Sequence, residues 1–215
     1  MHTISIVSQK GGAGKTTLAI HPAGMAAASG YLPCLIDLDP QATASAWSDW
    51  RRSDEPDITA PHTRLSETLA KLKDLGADIA IIDTPPHADA AAVQAARASD
   101  IVLIPCRPQA FDLHAMRTTA DLIALTEKPA FAVLNGVPVQ GTAITAEARD
   151  ILAQYNLPVA DAFITNRAAY RDAVGIGKLV FEMEPIGSAA REIEKLWQFI
   201  CAHINIPTTK QEIAA

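Results

Sequence analysis

The ten residues SQKGGAGKTT, which run from Ser8 to Thr17, connect a short apolar segment to a helical pattern and decide the fold. The apolar segment, Thr3–Val7, is rich in β-branched residues, as buried strands are. The helical pattern, Lys15–Ser29, ends before Gly30, a residue typical of helix C-termini. A glycine-rich turn between a strand and a helix is an arrangement in which backbone N–H groups point at an anion.

The side chains of this loop suit a nucleoside triphosphate bound with Mg²⁺. Its glycines let the backbone approach a ligand without a Cβ clash. Lys15 is placed to reach the β- and γ-phosphates, Thr16 to bind Mg²⁺ and Thr17 to donate to the α-phosphate. Gln9 occupies the first glycine position of the pattern G-x-x-x-x-G-K-[ST], so a glycine-rich turn without a ligand is the alternative. The predicted nucleotide-binding residues of the loop are Gly11, Gly12, Ala13, Gly14, Lys15, Thr16 and Thr17.

Apolar runs alternate with helical patterns along the rest of the chain. The predicted strands are Thr3–Val7, Cys34–Leu38, Ile79–Ile82, Ile101–Pro105, Ala130–Leu134 and Val159–Ile164. The predicted helices are Lys15–Ser29, Leu65–Leu75, Ala88–Ala98, 113–126, Ala143–Tyr155 and Ala189–Ile204. Because the strands are continuously apolar, they predict an α/β fold with a mostly parallel, twisted sheet and helices on both faces. Ligands of such sheets bind at the carboxyl ends of the strands.

Length and composition limit the remaining possibilities. The chain has 215 residues, of which 49% are hydrophobic and 20% charged, so we expect one domain at 1–206 and a loose tail at 207–215. The polar stretch 51–63 predicts a surface loop. The net charge of −6 excludes a generally basic nucleic-acid binder, so DNA contact would need a local patch. Three widely spaced cysteines and the lack of a signal segment or a long apolar stretch predict a cytoplasmic location.

Lys10 adds a second lysine to the loop, and the spacing K-G-G-x-G-K-T-T at 10–17 is the deviant Walker A motif. At this motif the chain resembles the ParA/MinD family of ATPases, most of all the short ParA-type partition proteins. The resemblance implies a P-loop NTPase fold, ATP and Mg²⁺ as cofactors, and an ATP-dependent homodimer in which Lys10 reaches the partner's phosphates. A lysine from each subunit would offset the repulsion between two facing γ-phosphates. An ordinary exposed lysine is the alternative.

Two acidic segments extend the predicted site. Leu35–Gln41 (LIDLDPQ) places Asp37 and Asp39 at the end of a strand, where the resemblance implies that Asp39 positions the attacking water and Asp37 supports the Mg²⁺ shell. Ile79–Pro86 (IAIIDTPP) has the Walker B pattern, in which Asp83 would hold Mg²⁺ through a water. The predicted catalytic residues are Lys10, Lys15 and Asp39, and the predicted metal-binding residues are Thr16, Asp37 and Asp83.

Base and DNA contacts are predicted late in the chain. Asn135 ends the strand FAVLN, where the family often places an asparagine against the adenine, and an Asx turn at the start of the Gly136 loop is the alternative. Thr165 and Asn166 are further nucleotide contacts implied by the resemblance. A non-specific DNA surface is also implied, with a solvated helix face as the alternative. Its candidate residues are Arg167, Arg171, Lys178 and Lys195. The last residues lack the basic amphipathic pattern of a membrane-binding helix, so we expect no membrane attachment.

Together these features predict a partition ATPase that slowly hydrolyses ATP to ADP and phosphate. Its ATP dimer would bind DNA non-specifically on the nucleoid, and a ParB-like partner would stimulate hydrolysis and release it, segregating plasmid or chromosomal DNA. One alternative is the same switch positioning a protein cargo, such as a carboxysome or a chemoreceptor array. The other is a metabolic P-loop enzyme.

The proline at position 22 departs from the family's pattern for the first helix, and a kink in that helix is predicted there.

Overall fold

The computed structural model describes residues 1–61 and 63–210. The strands are β1 His2–Ile6, β2 Pro33–Asp37, β3 Asp57–Thr59, β4 Ile79–Asp83, β5 Ile101–Cys106, β6 Ala130–Val137 and β7 Ile164–Thr165. They form a seven-stranded sheet in the order β3-β2-β4-β1-β5-β6-β7, and all pairings are parallel. The predicted α/β class with a parallel sheet is therefore confirmed.

Helices cover both faces of the sheet, as parallel strands require. The helices are α1 Lys15–Ala28, α2 Thr43–Trp50, α3 Leu65–Asp74, α4 Asp89–Arg97, α5 Ala110–Ala124, α6 Thr142–Ala153, α7 Ala168–Val174, α8 Val180–Met183 and α9 Ser188–Ile204. One core cluster joins α1, α2 and α7–α9 to strand residues such as Ile4 and Ile6. The clusters on the other face join α3–α6 to residues such as Val7 and Ile36. This division follows from the alternation of side chains along a strand.

The strand order places the glycine-rich loop at the centre of the sheet. β1 lies between β4 and β5, so the loop after β1 has the carboxyl ends of both neighbours beside it. The chain crosses from one side of β1 to the other between β4 and β5. Such a reversal of strand order opens a crevice at the carboxyl edge, where α/β proteins bind their ligands.

The region around the predicted loop at 51–63 contains two elements that the sequence patterns missed. α2 ends at Trp50, and β3 pairs with β2 through registers such as Leu35 with Ile58. β3 has only three residues, of which Asp57 and Thr59 are polar, so it carries no hydrophobic period. The description of 51–63 as loop is therefore wrong for β3, and His62 lies outside the described residues.

The strand predicted at Val159–Ile164 is also displaced. Val159 makes only an isolated bridge to Ala132, and the seventh strand is the two-residue β7.

The segment 207–215, which we expect to be a loose tail, is held at its beginning. Tyr31 Oη donates to the Pro207 carbonyl at 2.7 Å and Trp197 Nε1 donates to the Thr208 carbonyl at 3.0 Å. Residues 211–215 lie outside the described part of the chain.

No helix in the described ranges is long and apolar enough to cross a membrane.

The predicted kink at Pro22 does not end α1, which runs from Lys15 to Ala28. Pro22 has no N–H, so the helix loses the hydrogen bond to the Leu18 carbonyl at that turn. The neighbouring residue, His21, is fully buried, and its Nδ1 lies 2.9 Å from the Thr17 carbonyl.

His21 is a buried neutral base. Since a carbonyl only accepts, Nδ1 carries the proton and donates to Thr17. Nε2 is buried without a hydrogen-bond partner among the described residues. Burial lowers the pKa of His21 to about 4, although the Thr17 carbonyl opposes this by favouring the charged form. Protonating His21 in the folded protein is therefore unfavourable.

Acid should destabilise the protein through His21. Its pKa is about 4 when folded and about 6.5 when unfolded, so the unfolded chain binds more protons between these values. The stabilising contribution is complete above pH 6.5 and is lost as the pH falls, by about 2 kcal/mol at pH 5. Urea unfolding at pH 7.5 and 5.0 should show the parent losing about this much more than His21→Gln. Equal losses in the two proteins would contradict this role.

Candidate nucleotide-binding site

The glycine-rich loop has a backbone that glycine makes possible at two positions. Gly12 has φ +71° and Gly14 has φ +95°, in the left-handed region that side chains disfavour. Gly14 also leaves little room for a side chain, because an added Cβ would clash with Asn135 Nδ2. Gly14 is the N-cap of α1, and its carbonyl accepts from Leu18 N at 3.0 Å. The loop therefore turns into the helix at a position where glycine is favoured.

Side chains from two other strands hold the loop backbone. Asn135, in β6, donates from Nδ2 to the Ala13 carbonyl at 2.6 Å. Arg107, immediately after β5, donates from Nη2 to the Gly12 carbonyl at 2.7 Å. The predicted nucleotide contact Asn135 thus lies at the site, but its amide nitrogen serves the loop. Arg107 was not predicted, because only the strand order brings the end of β5 beside the loop.

The two lysines of the loop have different surroundings. Lys15 is buried, with 7% of its surface exposed, and its Nζ lies 3.4 Å from the Lys10 carbonyl. Burial lowers the pKa of Lys15, while attraction to Asp83 and Asp39 opposes the shift. Lys10 is half exposed and pairs through Nζ with the carboxylate of Asp112, in the first turn of α5. In this state Lys10 is held by its own subunit.

Asp83 is the best-placed metal ligand among the predicted residues. Its Oδ2 accepts from Thr16 Oγ1 at 2.7 Å, whereas its Oδ1 is buried and has no hydrogen-bond partner among the described residues. Burial raises the pKa of Asp83 to about 7, opposed by the Thr16 hydrogen bond and increased by repulsion from Asp37. A carboxylate oxygen without a partner beside a hydroxyl fits Mg²⁺, which prefers oxygen ligands.

The metal site needs ligands from outside the protein side chains. In 1–61 and 63–210, no three His, Cys, Asp or Glu residues form a group that could hold a metal ion. Mg²⁺ usually keeps several waters and binds substrate phosphates with one or two carboxylates. Thr16 and Asp83 therefore fit a magnesium ion whose other ligands are phosphate oxygens and water.

The carboxylates after β2 have protein partners. Asp37 accepts from Ser45 N and Ser45 Oγ through Oδ2, both at 3.0 Å, and from Asp39 N through Oδ1 at 3.1 Å. Asp37 thus fixes the start of α2 through Oδ2 and the loop before it through Oδ1, and a contribution to the Mg²⁺ shell stays a prediction. Asp39 Oδ1 accepts from Gln41 N at 2.9 Å. Asp39 is near enough to Lys15 and Asp83 to affect the pKa of each.

A cleft of about 770 Å³ opens beside the loop. This volume is in the range of small-molecule and cofactor sites. The predicted residues that line it are Gly12, Gly14, Thr17, Asn135, Thr165 and Asn166, together with Arg167 and Arg171 of the predicted DNA surface. The cleft residues that the sequence did not indicate include Arg107, Gln109 and Tyr170.

Glu192, in α9, holds one wall of this cleft. It accepts from Arg167 Nε at 2.9 Å, from Tyr170 Oη at 2.9 Å and from the Thr165 amide at 3.1 Å. Arg167 is thus committed to an internal ion pair at the cleft. The sequence pattern of α9 did not reveal this role, because Glu192 stands among other charged residues on the helix.

The four predicted DNA-binding residues differ in available charge. Arg167 pairs with Glu192, and Arg171 pairs with Asp172 at 2.9 Å. Lys178 and Lys195 are exposed and form no ion pair with the described residues. Two of the four positive charges are therefore neutralised by carboxylates, so a single subunit offers less positive charge to DNA than the sequence indicated.

Comparison with known proteins agrees with this fold and loop. The family model described as the CobQ/CobB/MinD/ParA nucleotide binding domain matches residues 4–180. The chain belongs to this family, which confirms the resemblance to ParA/MinD-type ATPases.

Individual relatives match nearly the whole chain. Maintenance of carboxysome distribution protein A of Halothiobacillus neapolitanus is 32% identical over 206 residues, covering 90% of this chain and 94% of the relative. The chromosome-partitioning ATPase Soj of Thermus thermophilus is 23% identical over 242 residues, covering 94% and 96%. Among solved structures, an ATP complex of McdA from Cyanothece has a TM-score of 0.71 at 16% identity, covering 96% and 97%.

The two glycines Gly14 and Gly76 should respond differently to alanine. Gly14→Ala combines a positive φ with the clash against Asn135, so we expect at least tenfold weaker binding of Mg-ADP. Gly76→Ala is the matched control, because Gly76 has a similar φ of +88°, an added Cβ there meets nothing within 4 Å, and it lies outside the phosphate loop. Isothermal calorimetry measures both affinities. Equal affinities for the two variants would contradict the structural requirement at Gly14.

Proposed function

We propose that this protein is an ATP-dependent switch that pairs face to face with a second copy and positions a protein cargo. The observation that carries the pairing is the location of Lys10. The Nζ of Lys10 pairs with Asp112 of α5, and the Lys10 side chain is 48% exposed beside the phosphate loop. This exposed side chain could therefore reach the phosphates of a partner that faces it once it leaves Asp112.

The site residues suit phosphoryl transfer to water. Loop N–H groups and Lys15 would hold the β- and γ-phosphates, and Thr16 and Asp83 would bind the metal side of the ligand. Mg²⁺ would neutralise charge that develops on the phosphate oxygens. Asp39 would orient the attacking water from the end of β2. Positioning and charge are the main requirements of this reaction, so no strongly basic group is needed.

Hydrolysis by this site would be slow in a single subunit. Lys10 is paired with Asp112, so one of the proposed catalytic cations is withheld until it changes partner. A second copy that brings its γ-phosphate to Lys10 would supply a stronger anionic partner than a single carboxylate. An adaptor protein that favours the paired state would then raise the rate of hydrolysis and release the dimer.

The cargo is inferred from the relatives. The carboxysome distribution protein is 32% identical over 206 residues, whereas the chromosome-partitioning ATPase is 23% identical over 242 residues. Both matches cover at least nine-tenths of this chain. The greater identity favours a protein assembly over a plasmid or chromosome, which was the sequence-based prediction. The metabolic alternative has no comparable support among these relatives.

The proposal includes a weak, non-specific contact with DNA in the paired state. The chain carries a net charge of −6, and Arg167 and Arg171 are each paired with a carboxylate. Lys178 and Lys195 would supply the free charge. Because non-specific affinity depends on the number of phosphates neutralised, pairing two copies would double a patch that is inadequate alone.

Replacing Lys10 should separate nucleotide binding from pairing. Lys10→Ala should bind Mg-ADP as the parent does, since Lys10 is paired with Asp112 and would meet only a partner's γ-phosphate, which ADP lacks, but it should not be retained on DNA with Mg-ATP. The parent should be retained only with Mg-ATP, and less as salt is raised. Filter binding with duplex DNA measures this, with the exposed Lys73→Ala as control.

Two outcomes of this experiment would count against the proposal. Retention of Lys10→Ala at the parent level would refute the role of Lys10. If the parent binds DNA under no condition, the proposed DNA contact is wrong. The proposed nucleotide binding is then tested separately, by the affinity for Mg-ADP.

Deletion of the gene in its host tests the cargo. A protein-positioning switch should leave its tagged protein assembly clustered instead of distributed, with plasmids inherited at the parent frequency. Reintroduction of the parent gene should restore the distribution, and the Lys15→Ala variant should not, because Lys15 is the buried lysine of the phosphate loop. Plasmid loss without any clustering would support DNA partition instead.

A further inference from the structure

We propose that Arg107 is a further nucleotide-binding residue, whose guanidinium contacts phosphate oxygens at the mouth of the cleft. This inference rests on the proposed binding of a nucleoside polyphosphate at the loop. No sequence motif points to Arg107, which follows β5 in the segment Cys106–Pro108. Its significance comes from the place to which the sheet brings it.

The guanidinium lies directly beside the phosphate loop. Its Nη2 donates to the Gly12 carbonyl at 2.7 Å, and it lines the same cleft as Gly14 and Thr17. The stem of Arg107 passes beside Gly136, where an added Cβ would lie 3.9 Å from Arg107 Cγ, in ordinary van der Waals contact. Arg107 also borders the small cavity that contains Lys10. The head group thus stands between the cleft and the exposed face of the loop.

Arg107 has no carboxylate to neutralise it. Within 1–61 and 63–210 it forms no ion pair, and its one side-chain hydrogen bond goes to a neutral carbonyl. The two lysines of the loop differ, since Lys10 pairs with Asp112 and Lys15 is attracted by Asp83. Arg107 is therefore an exposed permanent cation next to a loop built for an anion.

A guanidinium is well suited to this position. It has five N–H donors in a rigid plane, and one is used by Gly12, so the others can donate to phosphate oxygens. The bond to Gly12 also limits the orientations of the head group, which reduces the entropy lost when it binds. A residue that only held the loop would need one donor and no charge.

The phosphate oxygens can come from two sources. The nucleotide in the same subunit is one source, because Arg107 lines that cleft. The nucleotide of a facing second copy is the other, because Arg107 is exposed on the side where Lys10 lies. Both sources present the same chemistry, and they differ in whether the contact requires pairing.

The experiment compares Arg107→Gln and Arg107→Lys with the parent. Calorimetry with Mg-ADP measures binding to one subunit, and light scattering with Mg-ATP measures pairing. Arg107→Gln removes the charge and should weaken one of the two by roughly tenfold or more, as loss of a charged hydrogen bond does. Arg107→Lys should recover part of the loss. Arg97→Gln is the control, since Arg97 is exposed at the end of α4, on the opposite edge of the sheet.

Each outcome has one meaning. Weaker Mg-ADP binding by Arg107→Gln that Arg107→Lys partly restores assigns the contact to the nucleotide of the same subunit, whereas the same loss in both variants would indicate loop support only and overturn the proposal. Parent-level Mg-ADP binding with lost pairing assigns it to the partner's nucleotide. Parent values for both measurements overturn the proposal for Arg107 while leaving the proposed function intact. A parent protein that binds neither nucleotide overturns both.

Discussion

The approach of Asn135 to the loop at Gly14 is the contact on which the nucleotide site depends. Asn135 Nδ2 bonds the Ala13 carbonyl at 2.6 Å, and this is possible only because residue 14 has no Cβ atom. The bond joins β6 to the loop after β1, across the intervening β5. The sheet therefore shapes the loop directly. A buried core of aliphatic strands supports this shape from below, with Ile4, Ile6 and Leu103 fully buried.

The charged side chains around the loop have partners within the protein that a bound nucleotide would replace. Lys10 is paired with Asp112, and Asp83 accepts the Thr16 hydroxyl while its second oxygen has no partner. Burial disfavours the charged forms of both Lys15 and Asp83, as shown by the directions of their pKa shifts. Bound Mg-ATP would satisfy these groups with opposite charges, because phosphate oxygens suit lysine and Mg²⁺ suits a carboxylate.

The sequence was sufficient to predict the parts of the fold that depend on local patterns. The glycines and Lys15 identify the loop, and apolar runs such as Ile79–Ile82 identify the central strands, because both signals lie within a few residues. β3 was missed, since three residues with two polar side chains form no hydrophobic period. α2 was missed as well. It contains Ser45, whose backbone N–H and hydroxyl both donate to Asp37.

The other missed residues act over long distances along the chain. Arg107, Asp112 and Glu192 reach the site from β5, α5 and α9, so their roles depend on the order of strands and the packing of helices. A single sequence with charged residues throughout its helices does not distinguish these three from solvated ones. Arg167 shows the same limit from the other side. The sequence indicated an exposed cation for DNA, but in the fold Glu192 lies beside Arg167 and forms an ion pair with it.

The mass of the parent chain in solution tests the central claim, that nucleotide binding moves Lys10 from its own subunit to a second copy. Light scattering should give about 22.8 kDa without nucleotide and roughly double that mass with saturating Mg-ATP. Mg-ADP should leave the mass of the single chain, because it lacks the γ-phosphate that Lys10 would bind. A mass that stays at the single-chain value in Mg-ATP, or that is doubled without nucleotide, would contradict the account.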